Sequence, residues 1–324
     1  MLKLILSRIL QGIIVLLVVS MLTFALLAAA GGDALVSLRT DPLVTEETIQ
    51  SQARIYGLDQ PIPVRYARWL ADIARGRMGY SLFYRAPVWV IIRPRLLNTL
   101  ALAAASLLIA LTTALGLGSL AARRTGSWID RLCGAVILLA ASTPRIVLAL
   151  FALAVTARSS FLAIGASGAQ FSTAGSLAAR LLLPAFVLSV PLIALFLAQT
   201  RDGIRVALAE EFVQVARAKG LTERAVVLRH ALRAALNPLI TIFGYSLGGV
   251  VSGSVIVETV FGWPGLGQLS VTAVRSRDVP LLMGVVIMTA TAVLVGNAVA
   301  DLLLRINDPR LRRDETKLMT ASSS

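Results

Sequence analysis

The fold is decided by residues 211–236, which read EFVQVARAKGLTERAVVLRHALRAAL and lie between two strongly apolar segments. This stretch predicts two short amphipathic helices that are separated at Gly220-Leu221-Thr222. Gly220 permits the positive φ that a sharp turn between two helices requires. Seven basic residues lie in or beside the stretch: Arg201, Arg205, Arg217, Lys219, Arg224, Arg229 and Arg233. The pattern predicts a polar, basic loop that lies outside the membrane.

On both sides of this loop the chain is apolar enough to cross a membrane. Hydrophobic residues make up 57% of the chain, whereas soluble domains have roughly 45–50%. Several runs have about 20 apolar residues, which is the length that crosses a hydrocarbon core of about 30 Å. The predicted fold class is an all-α polytopic membrane protein with six transmembrane helices, at 9–30, 98–122, 132–157, 181–200, 238–260 and 281–304. Pro144, in Ser142-Thr143-Pro144-Arg145, interrupts the third, since proline removes a backbone donor.

Residues 1–97 consist of an apolar start and a polar, aromatic region. Ala28-Ala29-Ala30 resembles a signal-peptide cleavage site. A retained anchor is favoured, because the apolar core of about 22 residues exceeds the roughly 7–15 of a signal peptide. Residues 31–97 are too long for a bare connection and predict a small extracytoplasmic cap. One helix is expected to begin at Thr45, and another is expected over 64–75 with an apolar face of Val64, Ala67, Leu70 and Ala71.

The distribution of positive charge predicts the side of the membrane on which each segment lies. With the N-terminus inside, the inner segments hold 17 of the 31 Lys and Arg residues, and the two short outer loops hold four. Because basic flanking segments stay in the cytoplasm, both termini and the loop 201–236 are predicted to be cytoplasmic. The predicted domains are an N-terminal transmembrane helix (1–30), the cap (31–97), a core transmembrane domain (98–304) and a cytoplasmic tail (305–324).

Several classes of function are excluded by what the chain lacks. The net charge of +14 follows from basic residues that flank the spans, where anionic lipid attracts them, so no nucleic-acid partner is expected. The sequence has no G-x-x-x-x-G-K-[ST] phosphate loop. It has one histidine, His230, and one cysteine, Cys133, which is too few for a multi-histidine zinc site or a disulfide. We therefore expect no enzyme activity, no cofactor and no metal.

The second predicted helix of the loop has an apolar face, which consists of Leu221, Ala225, Leu228, Leu232 and Leu236. Such a face is typical of a helix that lies on the lipid surface. It is equally typical of a helix pair that docks into a groove of a partner protein. Both interpretations accommodate the turn at Gly220, and the residues alone leave both open.

The loop resembles the coupling motif of ABC importer permeases, in the dipeptide/oligopeptide branch. Ala216-Arg217-Ala218-Lys219-Gly220-Leu221 and Arg229-His230-Ala231-Leu232 carry the likeness. Gln214-Val215-Ala216 stands where the generic motif has Glu-Ala-Ala, and Leu232-Arg233 stands where it has Leu-Pro. Further matching segments are distributed over nearly the whole chain: Tyr56-Gly57-Leu58-Asp59-Gln60-Pro61, Gly79-Tyr80-Ser81, Asn98-Thr99-Leu100, Ser127-Trp128-Ile129-Asp130-Arg131, Ser142-Thr143-Pro144, Glu258-Thr259-Val260-Phe261-Gly262-Trp263-Pro264-Gly265-Leu266-Gly267 and Asp308-Pro309-Arg310. Their order is similar to that of the first of the two permease subunits.

The resemblance implies a subunit of the bacterial inner membrane that forms half of a peptide-translocation pore. Its implied partners are a second, paralogous permease, two ATP-binding subunits at the cytoplasmic face and an extracytoplasmic peptide-binding protein. ATP-driven closure of the ATP-binding subunits would move the coupling helices and turn the pore outward. The residues that the resemblance implies for this coupling are Glu211, Gln214, Ala216, Arg217, Ala218, Lys219, Gly220, Leu221 and His230.

Two charged residues are candidates for the translocation pathway. Arg145 lies in the middle of the third predicted span, where an arginine costs about 2.5–3.5 kcal/mol on the insertion scale. It either lines the pore, where it would contact a substrate carboxylate, or forms a structural pair. Glu258 lies near the outer end of the fifth span. It either acts as a gate or contacts a peptide amine, or it has a capping and packing role.

Two alternative functions remain at this stage. Relatives with the same motifs transport nickel, glutathione or another small solute, and the ligand of the binding protein would distinguish them. A channel or ion-coupled transporter that works alone would need acidic residues along a membrane pathway, and only Arg145 is clearly a charge in the middle of a span.

Overall fold

The computed structural model describes residues 2–29, 60–157 and 174–307, and the single positions 45, 47, 50 and 51. The helices in chain order are α1 (Leu2–Ala29), α2 (Ile62–Ala74), α3 (Val88–Arg123), α4 (Trp128–Ser142), α5 (Arg145–Ala157), α6 (Ala174–Ala209), α7 (Glu211–Ala218), α8 (Leu232–Phe261), α9 (Leu266–Arg275) and α10 (Val279–Asn307). A short turn (Glu223–Ala225) and a π-helical segment (Val226–Ala231) lead without a break into α8. Two short strands, β1 (Tyr80–Ser81) and β2 (Ala86–Pro87), form an antiparallel hairpin.

The helices confirm an all-α polytopic membrane protein. In the described part of the chain, five helices are long and apolar enough to cross a membrane: Leu6–Ala29, Val88–Arg123, Arg180–Ala209, Glu223–Phe261 and Val279–Leu303. The predicted interruption of the third span is also confirmed. Trp128–Ser142 and Arg145–Thr156 meet at an angle of 105°, and we call this bend the elbow. If the bent pair is one span, the number of spans is six.

Several boundaries differ from the predictions. α3 begins at Val88, ten residues before the predicted start at 98, because Pro94 lies within the helix rather than ending it. Pro238, the predicted start of the fifth span, is likewise inside α8. The hairpin and α9 were not predicted. The helix expected to begin at Thr45 lies mostly outside the described residues, as do most of residues 158–180 and the tail beyond residue 307.

The chain forms two compact units, residues 1–99 with 264–294 and residues 100–263 with 295–324. In the first unit, a buried carboxylate, Asp278, joins the hairpin to α10. It accepts hydrogen bonds from the Ser81 hydroxyl at 2.6 Å and from the backbone N–H of Phe83 and Leu281, each at 3.1 Å. The core of this unit lies beside these contacts, where apolar residues of α3, α9 and α10 pack: Val88, Ile92, Leu266, Leu269, Ala273, Leu281, Leu282 and Val285.

In the same unit, α2 packs against α1 through aromatic side chains. The Tyr66 and Ser20 hydroxyls are 2.9 Å apart, and the Tyr66 ring lies 5.5 Å from Phe24 and 6.0 Å from Trp69. The helix predicted over 64–75 is therefore present, but its predicted inner face is wrong, because Val64, Ala67 and Ala71 are exposed. The half-buried aromatic rings, with their larger area, determine which side of α2 is covered.

The second unit has the larger core. Apolar residues of α3, α4, α5, α6 and α8 form one cluster, and its largest fully buried members include Leu102, Leu188, Phe196 and Leu197. Small residues allow helices to approach closely. A Cβ on Gly244 would overlap the Ala300 side chain, and a Cβ on Gly296 would lie 3.1 Å from the Leu247 side chain. These contacts pack α8 against the end of α10.

Candidate coupling site and membrane pathway

The first helix of the predicted loop is α7, and it has one buried side and one exposed side. Val213 and Ala216 are buried and pack with Val226 and Leu208. Residues of the exposed side include Glu211, Gln214 and Ala218. Glu211 lies in the first turn and Arg217 in the last, where their charges complement the helix dipole. α7 therefore presents charged and polar side chains outward from an apolar base, together with two exposed apolar side chains, Phe212 and Val215.

A tight turn follows α7, and its hydrogen bonds explain the need for glycine. Gly220 has φ +78°, and its N–H donates to the Arg217 carbonyl at 2.9 Å. The N–H of Leu221 donates to the Ala216 carbonyl at 3.4 Å, which completes a Schellman motif after Lys219. Nothing lies within 4 Å of the position that a Cβ on Gly220 would take. The backbone conformation, and not lack of space, therefore selects glycine.

An ion pair spans the outside of this turn. Arg217 Nε lies 2.7 Å from Glu223 Oε1, and Arg217 Nη2 lies 3.3 Å from Oε2. The hydrogen bond to Glu223 raises the pKa of the Arg217 guanidinium above its ordinary value, so Arg217 stays charged. The two side chains are 43% and 59% exposed, and solvent screening leaves such an exposed pair little effect on stability. Thr222 caps the next helical turn by accepting from the N–H of Ala225 at 3.4 Å.

The second helix of the loop is not a separate element. It passes through the π-helical segment directly into α8, and the wider π turn changes which residues face inward. Val226 and Val227 are both fully buried, although they are adjacent in sequence. Of the predicted apolar face, Leu221 and Leu228 are exposed at 41% and 47%. Exposed leucines fit a face that meets lipid or a partner, which stays a prediction, but the π-helical segment interrupts the period of 3.6 residues per turn that the predicted face assumed.

The base of the loop is a small apolar cluster. Its fully buried members include Ile204 of α6, with Val227 and Ala231 of the π-helical segment, and Ala122, Ala207 and Ala235 complete it. His230 is half-buried and lies at a depression of about 430 Å³, which is lined by Phe212, Arg229, His230, Arg233, Ala234 and Asn237. The base thus joins the end of α6 to the start of α8.

The two pathway candidates occupy different environments in the second unit. Arg145 is the first residue of α5, immediately after the elbow, and is half-buried. Its guanidinium occupies the space that a Cβ on Gly253 would need. Within the described residues it has no ion pair. Glu258 is fully buried, and its Oε1 accepts a hydrogen bond from the Ser254 hydroxyl at 3.0 Å.

Comparison with protein families identifies the chain. Residues 114–313 match the model of the binding-protein-dependent transport system inner membrane component, and residues 1–103 match the N-terminal model of the same membrane component. The protein belongs to this family of transport permeases. The resemblance carried by the loop and by the segment around Gly262 is thereby confirmed, as is the multi-pass inner-membrane location.

Named relatives cover nearly the whole permease. The oligopeptide transport system permease protein AppB of Bacillus subtilis is 35% identical over 95% of this chain and 98% of its own length. A putative peptide permease of Brucella suis biovar 1 is 34% identical over 96% of this chain and 99% of its own length. The dipeptide transport system permease protein DppB of Escherichia coli is 30% identical over 91% of this chain and 94% of its own length.

The permease also has a charged cluster that sequence reasoning missed. Asp130 of α4 lies 2.5 Å from Arg205 Nη2 and 3.6 Å from Arg201 Nη1, both on α6. The local signals were the Ser127 and Asp130 spacing of an N-terminal cap and the resemblance of Ser127–Arg131 to the family, and neither indicates the arginines as partners. The pairing itself joins residues 75 positions apart, and a single sequence does not reveal it.

Proposed function

We propose that this permease forms half of the translocation pore of an ATP-driven importer of di- and oligopeptides. The observation that carries the proposal is the family match, together with relatives named as peptide, oligopeptide and dipeptide permeases along nearly the full chain. The partners are a paralogous permease, two ATP-binding subunits and an extracytoplasmic peptide-binding protein. The permease hydrolyses no ATP itself and takes this energy from the ATP-binding subunits.

The coupling loop, which we define as residues 211–236, is the surface that receives that energy. Its proposed contact residues are Glu211, Gln214, Ala216, Arg217, Ala218, Lys219, Gly220, Leu221 and His230. Ala216 acts from the buried side by seating α7, since it packs in the apolar cluster. Most of the others lie on the exposed side of α7 or in the turn at Gly220. His230 lies in the π-helical segment. A rigid turn over an apolar base supports this role, because movement applied to it passes to the base.

The membrane orientation follows the distribution of charge. Both termini and the coupling loop lie in the cytoplasm, and residues 31–97 form the extracytoplasmic cap. The excess of Lys and Arg in the inner segments supports this orientation. The core domain, 98–304, then presents the coupling loop to the ATP-binding subunits, and the tail, 305–324, lies on the same side.

Arg145 is the proposed pathway residue. A half-buried cation at the elbow, without an acidic partner among the described residues, is suited to a substrate carboxylate. Glu258 is buried and accepts a hydrogen bond from Ser254, which supports a packing role for its carboxylate. We expect Arg145→Gln to raise the KM for peptide uptake about tenfold, because it removes one charge-assisted hydrogen bond of roughly 1.5 kcal/mol to the substrate carboxylate. Uptake kinetics in reconstituted vesicles measure this change, and an unaltered KM contradicts the pathway role.

The substrate class is tested by purifying the assembled transporter with its binding protein and identifying the retained ligand by mass spectrometry. We expect short peptides, and we expect vesicles that contain the assembly to accumulate those peptides only when ATP is supplied. Nickel or glutathione in the binding protein would contradict the peptide assignment. Uptake without ATP-binding subunits would contradict the importer class altogether.

A further inference from the structure

The carboxylate of Asp130 lies where α4 meets the end of α6. Its side chain is only 13% exposed. Oδ2 accepts the backbone N–H of Gly126 at 2.9 Å, and Oδ1 lies 2.5 Å from Arg205 Nη2. Arg201 approaches the same oxygen at 3.6 Å. Because charge-assisted hydrogen bonds are stronger when shielded from water, this cluster holds the two helices together.

The α6 side of the cluster is continuous with the coupling loop. Arg205 precedes the end of α6 by one helical turn, and α7 begins at Glu211. Ile204 and Ala207, on either side of Arg205 in the sequence, belong to the apolar cluster that includes Val227 and other residues of the loop base. A displacement of the loop therefore moves the end of α6, and the two arginines move with it.

The α4 side of the cluster leads to the elbow. α4 is a single helix of 15 residues from Trp128 to Ser142, so its start and its end move as one rod. Immediately beyond the elbow, Arg145 contacts Gly253 of α8. α4 and α6 are also in ordinary van der Waals range beside the cluster, since a Cβ on Gly134 would lie 3.6 Å from Arg201 Nη1.

Removal of the Asp130 charge would leave the two arginines poorly compensated. In the described part of the chain, the other carboxylate within salt-bridge distance of them is Asp202, at 3.2 Å from Arg201 and 3.7 Å from Arg205. Asp202 is 59% exposed and lies on α6 itself, so it forms no connection to α4. Asp130 is thus the carboxylate that joins α6 to α4.

We propose that Asp130 is a positioning residue that transmits movement of the coupling loop to the elbow of the translocation pathway. This inference rests on the proposed importer function and adds a specific transmission contact to it. The coupling loop, the end of α6, Asp130, α4 and the elbow form one contiguous series of contacts within the second unit. Such a series carries coupling between distant sites when both ends bias it.

The test compares Asp130→Asn with the wild type in the complete transporter, reconstituted in vesicles with its binding protein. Asparagine keeps the size and an acceptor but removes the charge. We expect the amount of peptide transported per ATP hydrolysed to fall about fivefold or more, while subunit ratio, basal ATP hydrolysis and the KM for peptide stay unchanged. A merely structural role would lower the yield of the complex and leave that ratio alone.

Asp72→Asn is the matched control. Asp72 also pairs with an arginine, Arg77, at 2.7 Å, but both side chains are exposed and the pair lies in the first unit. We expect the ratio of transport to hydrolysis to stay within about twofold of wild type in this variant, since solvent screens exposed ion pairs. An equal loss in both variants overturns the proposal.

Two further variants separate transmission from assembly. Arg205→Gln combined with Asp130→Asn is expected to be no worse than the worse single variant, because both changes break one contact. Additive losses, or a wild-type ratio for Asp130→Asn, overturn the proposal. If Asp130→Asn does not assemble, Arg205→Gln alone is measured instead, because it removes the cation of the same contact, and a wild-type ratio there overturns the proposal. Failure of the importer function itself would be distinguished by the absence of ATP-dependent peptide uptake in the wild type.

Discussion

Two ion pairs of similar length, one across the turn of the coupling loop and one beneath its base, lie in very different surroundings. Arg217 and Glu223 meet at 2.7 Å across the outer turn, with both side chains largely exposed. Asp130 and Arg205 meet at 2.5 Å beneath the base, with both side chains mostly buried. Because solvent screens the outer pair and screens the inner pair far less, equal distances do not mean equal importance. The outer turn is defined by its backbone, whereas the base is defined by burial and charge.

This difference predicts that stability depends on the base and that the exposed surface is available for contact with a partner. Apolar packing of α7 and of the π-helical segment fixes the loop, and the backbone of Gly220 sets its turn. The exposed side chains then add little to folding. One variant in the buried base and one in the exposed turn test this comparison.

The largest effect is expected for Val227→Asp. Val227 is fully buried in the base cluster, and an unpaired buried charge costs at least about 3 kcal/mol. We expect the purified permease to lose most of its thermal stability, measured by unfolding in detergent. Leu228→Asp is the matched control, since the neighbouring side chain is 47% exposed and its replacement should leave the unfolding temperature nearly unchanged. Equal losses in the two variants would show that the π-helical register is wrong.

The smallest effect is expected for Glu223→Gln. It removes the charge of the exposed pair but retains a hydrogen-bond acceptor for Arg217. We expect the free energy of unfolding to change by less than about 1 kcal/mol, in chemical denaturation of the purified permease. A loss comparable to that of Val227→Asp would mean that the outer pair, and not the base, holds the loop.

The sequence was informative where local chemistry decides the structure. Long apolar runs predicted the spans, Pro144 predicted the elbow, and Gly220 predicted the turn, since each effect acts within a few residues. The start of α3 was predicted too late because the surrounding packing accommodates Pro94 inside the helix. Nothing in the composition of 266–275 distinguished α9 from the loop that contains it.

Contacts between distant residues were not predictable in this way. The π-helical segment places Val226 and Val227 inward together, and this arrangement depends on the tertiary packing of the base. The inward side of α2 depends on Tyr66 meeting Ser20, 46 positions away. The contacts of Asp130 with Arg201 and Arg205 likewise join residues that are far apart in the sequence. The residues proposed for coupling were found because a local motif marks them. The contact between Asp130 and Arg205 beneath them has no such motif and was not predicted.

The central claim is that the coupling loop transmits the work of the ATP-binding subunits, and substitution of Gly220 tests it most directly. Gly220→Val and Gly76→Val are a matched pair, because the two glycines have φ of +78° and +76° and nothing lies within 4 Å of either Cβ position. Both variants pay a similar backbone penalty of about 1–3 kcal/mol. Only Gly220 lies in the coupling loop.

We would measure peptide uptake and peptide-stimulated ATP hydrolysis for both variants in the reconstituted transporter. We expect Gly220→Val to lower both rates about fivefold or more, and Gly76→Val to leave both within about twofold of wild type because its penalty falls outside the coupling loop. Wild-type uptake and stimulation in Gly220→Val, or an equal loss in Gly76→Val, would contradict the coupling role of the loop.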